Sequence, residues 1–142
     1  LIVHHWENVM EPELSKSTVF FDGSCSLCQA EIGYYRRHDQ AGVLCFVDVS
    51  ETGAVIPDSV TQQQAMKRFH VRASDGRVLS GAAGFVEVWN RLPNWRWAAR
   101  AASRPRVLLA LEMSYGIFLL FRPSISHLFG RVLQLQVLVR RS

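Results

Sequence analysis

Residues 18–37 read TVFFDGSCSLCQAEIGYYRR, and the rest of the chain is organised around that stretch. Thr18, Val19, Phe20 and Phe21 form a short β-branched and aromatic run, which suits a buried strand. Asp22-Gly23-Ser24 is a turn cluster, so the strand ends at Asp22. From Ser26 the residues favour a helix, with Leu27, Ala30, Tyr34 and Tyr35 spaced to share one face. Cys25 therefore falls at the helix N-cap or first turn. Cys28 lies three residues on, on the same face of that turn and within reach of a disulfide.

The position matters because first-turn N–H groups have no intrahelical partner and the helix dipole makes that end partly positive. A thiolate is stabilised there, so we expect Cys25 to be the attacking sulfur. Cys28, one turn deeper, is expected to be the more shielded and to act as the resolving thiol. Asp22 has two readings: an Asx-turn or helix cap, or a group that moves protons for Cys28.

The chain has 142 residues, nearly half of them hydrophobic, which is enough for one domain with a real core. Its three cysteines are an odd number, which argues against a disulfide framework of the secreted kind and for a reducing compartment. Leu1-Ile2-Val3 turns polar at His4, too soon for the apolar core of an export signal, so we expect a cytoplasmic protein. Met10, followed by Glu-Pro-Glu and the first strand, is the expected native start. The net charge is +4, and from Arg91 onward nine arginines face a single acid, Glu112. They are scattered among apolar residues without a clustered patch, so no nucleic-acid partner is expected.

After the first helix, His38 to Gly42 is a turn and Val43 to Val49 an apolar second strand, which makes a βαβ unit with parallel strands. The two cysteines then sit at the carboxyl end of a central strand, where open α/β sheets carry their chemistry. Thr61 caps a weaker helix running to about Phe69. Phe69 to Arg72 and Arg77 to Leu79 flank Asp75-Gly76 and read as an antiparallel hairpin. Gly81 opens a helix with Ala82, Phe85, Val86 and Trp89 on one face, ended by Leu92-Pro93. Trp89, Trp95 and Trp97 read as core and helix-packing residues.

The remainder reads as helices over residues 95–102, 107–121 and 124–139, broken at Pro105 and Pro123. The middle one, cut off at Pro123, falls short of the about 20 apolar residues a membrane span needs. The last is apolar on more than one side and ends in Arg140-Arg141, so it either packs within the molecule or docks on a partner or membrane surface. We therefore divide the chain into an N-terminal extension (1–16), an α/β core (17–93) and a C-terminal helical extension on the same domain (94–142).

The order βαβαββα with a CxxC at the first helix resembles the thioredoxin-like fold. The residues resemble one branch, the DCC family of predicted thiol-disulfide oxidoreductases, named for Asp-x-x-Cys-x-x-Cys. Here the signature is Asp22-Gly23-Ser24-Cys25-Ser26-Leu27-Cys28, and further markers are Arg36 to Asp39, Phe46-Val47-Asp48, Asp75 to Val78 with Gly81, Trp89 to Pro93, and Tyr115 with Arg122. Thioredoxins proper carry a cis-proline before the third strand, whereas residues 66–72 contain none. His70 stands in that neighbourhood, either facing the cysteines or as an ordinary strand histidine.

The resemblance implies thiol-disulfide exchange on a protein or low-molecular-weight disulfide, with Cys25, Cys28 and Asp22 at the site and no metal or organic cofactor. Two other readings are open. Cys25, Cys28, His38 and Cys45 are zinc ligands by type, but His38 ends a helix about 15 Å long, and Cys45 reads as a packed small hydrophobe. Alternatively, the helical half binds a partner and the cysteines only sense redox state.

Overall fold

A computed structural model describes residues 15–141. Met10 and most of the N-terminal extension lie outside these residues. Strand β1 (Ser17–Phe21) is buried along its whole length. It is followed by helix α1 (Ser26–His38), β2 (Leu44–Asp48), the short α2 (Gln62–Lys67), β3 (His70–Arg72), β4 (Val78–Ser80) and α3 (Ala82–Arg91). The strands form one sheet in the order β2-β1-β3-β4. β1 runs parallel to β2 and antiparallel to β3, with Val19 opposite Phe46 and Val71. The chain is thus mixed α/β with a four-stranded sheet, consistent with the expected thioredoxin-like class.

Alternation along β1 builds two cores, because successive side chains of a strand point to opposite faces. Val19 and Phe21 join Ile32, Tyr35, Leu44, Val71, Val88 and Leu92 on the face covered by α1 and α3. Phe20 joins Val49 and Ala65 on the face covered by α2. α2 begins as its sequence demands, with a capping box between Thr61 and Gln64. The β3–β4 hairpin turns at Gly76, whose φ of +90° is open to glycine at little cost.

The inward face of α1 differs from expectation. Ile32 and Tyr35 are buried, with Cys28 and Glu31 on the same side, while Ala30 is exposed. Of the residues expected on one face, Tyr35 is buried and Tyr34 packs against the core, but the face turns away from Ala30 toward Ile32. Apolar spacing did not show this because a cysteine and a glutamate occupy part of it. Trp89 and Trp95 stack at 5.7 Å and pack on the core, but Trp97 is 70% exposed and is no packing residue.

The largest departure lies beyond a 3-10 turn at Pro93–Trp95 and helix α4 (Arg96–Ala102). Pro105 marks a boundary as expected, but Pro123 does not: one helix, α5, runs from Pro105 to Arg141 over 37 residues. Proline costs a helix one N–H donor and crowds the preceding turn. Here contacts from Arg122 and Ser126 hold α5 to the domain on both sides of Pro123. Leu119, whose carbonyl loses its helical partner, borders an open cleft that water can enter. The argument from a fifteen-residue segment therefore falls: α5 is long and apolar enough, by length and composition, to cross a membrane.

No residue of α5 is buried, yet its first two thirds are fastened to the domain. Glu112 accepts the amide of Ala82 at the start of α3 at 2.8 Å and pairs with Arg68. The Tyr115 hydroxyl accepts the Phe69 amide at 2.8 Å, just before β3. From Arg131 to Arg141 every residue is exposed.

Candidate active site

The site forms where β1 and β2 end side by side. Asp48, the last residue of β2, accepts the Gly23 amide on Oδ1 at 2.8 Å, and the same oxygen accepts the amide and hydroxyl of Ser50. Those bonds hold the Asp48 carboxyl below the usual range against the opposing effect of its slight burial. The carboxylate lies so close that a Cβ on residue 23 would collide with it, which explains the glycine. Asp22 Oδ1 accepts the Ser24 amide at 2.9 Å, an Asx-turn, and Gln29 donates to the Gly23 carbonyl from inside α1. The turn is fixed from the neighbouring strand and from the helix it starts.

Cys25 is the N-cap of α1, and its sulfur accepts the Cys28 amide at 3.3 Å. The sulfur thus does what a serine or aspartate oxygen does at most helix starts. Cys28 Sγ lies 2.6 Å from Cys25 Sγ, so the pair can close into a disulfide with little movement.

Around the pair, α5 supplies what the motif does not. Arg122 Nη2 donates to Cys28 Sγ at 3.2 Å and to Asp22 Oδ2 at 3.1 Å, while its Nη1 donates to the carbonyls of Met66 and Lys67. Ser126 Oγ donates to Cys25 Sγ at 3.4 Å. One guanidinium therefore ties the segment before β3 to the cysteine turn.

The two thiols are driven apart. Burial pushes the Cys25 thiol up, but the hydrogen bonds it accepts from Cys28, Ser126 and the Cys28 amide, with help from Arg122, outweigh that and hold its pKa below the ordinary value. Burial also pushes Cys28 up, and so does its hydrogen bond to Cys25; Arg122 opposes, and the net value is about 12. The expectation that Cys28 is the more covered residue needs amending. Cys25 is only 7% exposed because α5 lies over it, whereas Cys28 as a residue is partly open but its thiol is more strongly desolvated.

Behind Cys28 a small cavity of about 40 Å³ is lined by Glu31, Tyr115 and Arg122 among others. Glu31 accepts the Tyr35 hydroxyl at 2.6 Å. Its burial raises its pKa, against that hydrogen bond and the Arg122 charge. In front of Cys25 is a cleft of about 880 Å³ between α5 and the end of α2.

Asp22 serves both as an Asx-turn and as the partner of Arg122, but it is not the helix cap. His70 is buried with Nδ1 2.7 Å from the Arg68 carbonyl, the ordinary strand role, and burial lowers its pKa. His38 stacks on Tyr34 at the far end of α1, and Cys45 sits in β2 opposite Thr18. Among the described residues no three His, Cys, Asp or Glu side chains gather as metal ligands. Ser126 and Glu31 went unnoticed in the sequence. Tyr115 and Arg122 stood out only as family markers, with no role attached.

The family model for DCC1-like thiol-disulfide oxidoreductases matches residues 19–128. The chain is also similar to an uncharacterized chloroplastic protein of Arabidopsis thaliana, 27% identical over 85 residues, which cover 58% of this chain. The match spans only 40% of that relative's length. No solved structure matches the chain at a significant level. With the CxxC pair at the start of α1 and a family match running from β1 well into α5, the chain belongs to the DCC1-like thiol-disulfide oxidoreductase family.

Proposed function

We propose that the protein is a thiol-disulfide oxidoreductase on a thioredoxin-like scaffold, with Cys25 as nucleophile and Cys28 as resolving thiol. The observation that carries this is a pair of sulfurs 2.6 Å apart at a helix start, where the Cys25 sulfur is the N-cap and accepts from the Cys28 amide and the Ser126 hydroxyl, bonds that favour its thiolate. The Cys25 thiolate attacks one sulfur of a substrate disulfide, forming a mixed disulfide and releasing the first substrate thiolate. Cys28 then gives up its proton to the released thiolate and attacks Cys25 Sγ. The Cys25–Cys28 disulfide forms and the second substrate thiolate leaves, so the substrate is reduced by two electrons and the protein dithiol oxidised.

Asp22 we assign to positioning: it holds Arg122 where the guanidinium can reach both the Cys28 sulfur and the carbonyls of Met66 and Lys67. That bridge ties down the segment where thioredoxins have their cis-proline. The exposed apolar end of α5, closed by Arg140 and Arg141, we assign to contact with a membrane surface or a partner.

The test is a titration of the purified protein through defined thiol-disulfide potentials, with alkylation of remaining thiols and mass readout at Cys25, Cys28 and Cys45. Reversible two-electron oxidation confined to Cys25 and Cys28 is expected. A chain with no reversible couple is not an oxidoreductase, and the interaction module becomes the better reading.

A further inference from the structure

The cleft beside Cys25 is chemically lopsided. It reaches about 880 Å³, within the range of about 300–1,000 Å³ typical of small-molecule sites. Its charged lining comprises Asp22, Lys67, Arg122 and Arg131, with His127 nearby. Asp22 and Arg122 neutralise each other through their ion pair. Lys67, at the end of α2, and Arg131, on α5, are exposed and have no carboxylate partner among the described residues. Ser24, Cys25 and Ser26 line the same cleft, so the positive end of α1 opens into it. Two cations and a helix N-terminus thus act on whatever approaches Cys25, while Leu119, Leu120 and Pro123 supply an apolar wall.

Access sets the second condition. Cys25 is 7% exposed, with Ser126 of α5 against its sulfur. A disulfide fixed on a broad protein surface meets α5 before it meets Cys25. A small disulfide that enters the cleft does not.

We propose that this cleft takes a low-molecular-weight disulfide whose thiol halves carry carboxylates, with Lys67 and Arg131 binding the carboxylates as Cys25 attacks the sulfur. The proposal rests on the oxidoreductase reading and names its substrate class. One turnover of the reduced protein needs no other oxidant or reductant: the substrate S–S bond breaks, the Cys25–Cys28 bond forms, and the two carboxylate-bearing halves leave, one as thiolate and one as thiol with the proton given up by Cys28.

The experiment measures single-turnover oxidation of the reduced 142-residue chain by acid quench and mass. Three small disulfides are compared: dithiodipropionate (dianionic), hydroxyethyl disulfide (neutral) and cystamine (dicationic). Each rate is divided by the rate of the same disulfide with free dithiothreitol, which removes intrinsic reactivity. At low salt the normalised rate for dithiodipropionate is expected to exceed that for cystamine by about tenfold or more, because charges of opposite sign at contact range change both encounter and binding. The ratio should shrink several-fold at about 0.5 M salt, where screening acts over a few ångströms. In Lys67→Glu/Arg131→Glu the ratio should fall towards one or invert.

Equal normalised rates for the three disulfides, or a ratio indifferent to salt, overturn the substrate assignment while leaving the oxidoreductase reading intact. Failure of all three to oxidise Cys25 and Cys28 overturns both. If the disulfide of an acidic protein reacts more than about tenfold faster than dithiodipropionate, the small-molecule part is wrong. The salt series on the unmodified protein keeps the test decisive even if the double variant does not fold.

Discussion

Arg122 Nη2 donates to Cys28 Sγ at 3.2 Å although 94 residues separate them in sequence. The same guanidinium meets Asp22, and both side chains of that ion pair are largely covered, 15% and 13% exposed. Removing one partner of a covered pair leaves the other charge unpaired. Arg122→Ala should cost about 3 kcal/mol in stability and move the pH midpoint for iodoacetamide alkylation of Cys25 upward. Arg122→Lys keeps a charge but cannot fork to four acceptors, so it should fall between parent and alanine variant in both measurements. A Cys25 midpoint unmoved in Arg122→Ala would show that the guanidinium plays no part in tuning the Cys25 thiol.

Ser126 separates tuning from stability. Its hydroxyl donates to Cys25 Sγ at 3.4 Å, and it is one of the groups that hold the Cys25 pKa down. Ser126→Ala should raise the alkylation midpoint of Cys25 while costing under about 1 kcal/mol, since the residue is only partly covered. Ser126→Thr, which retains the hydroxyl, should restore the parental midpoint.

Gly23 is required by a neighbour rather than by its own φ. A side chain there displaces the Asp48 carboxylate, whose Oδ1 accepts from Gly23 and twice from Ser50. Gly23→Ala should cost about 2–3 kcal/mol and slow oxidation of the dithiol, because the turn that presents Cys25 shifts. Asp48→Ala in the same chain should cost less than the sum of the two single changes, as expected of residues that collide. Strict additivity in chemical denaturation would refute the steric account.

The turn and helix start were legible because local rules govern them. A buried run ending in Asp22-Gly23-Ser24 and a cysteine at the N-cap depend on residues within a few positions of one another. The same holds for the Thr61 capping box and the Gly76 hairpin turn. α5 was not legible, since proline predicts a break and only contacts across the molecule, from Arg122 and Ser126, hold the helix together past it. Glu31 escaped for a related reason. A charged residue reads as a solvated face, and only the approach of Tyr35 and α5 buries it.

Glu31 gives the pH dependence its sign. Burial raises its pKa above the ordinary carboxylate value, so between the two values the folded chain holds a proton that the unfolded chain has released. Stability therefore falls as pH rises through that window, and the deficit stays constant above it. Glu31→Gln removes the titration but keeps an oxygen for the Tyr35 hydroxyl. The variant should match the parent below the carboxylate range and be more stable by about 1 kcal/mol at neutral pH. Denaturation midpoints at acid and neutral pH check this, and a neutral-pH loss of stability would contradict the sign.

The far end of α5 separates folding from association. From Val132 to Val139 the helix exposes Val132, Leu133, Leu135, Val137, Leu138 and Val139, and it buries none of them. Ending the chain after Arg131 removes none of the contacts of Glu112, Tyr115, Arg122 or Ser126. The shortened protein should keep its stability to within about 0.5 kcal/mol. Apolar side chains next to Arg140 and Arg141 suit an anionic lipid surface, where burial of the apolar face and attraction of the arginines act together. The full chain should float with anionic vesicles, bind neutral ones less, and lose both on truncation. If flotation is unchanged in the shortened chain, the lipid-contact reading of this end fails. If the shortened chain instead changes from dimer to monomer in sedimentation without either form floating, the apolar face belongs to a second copy.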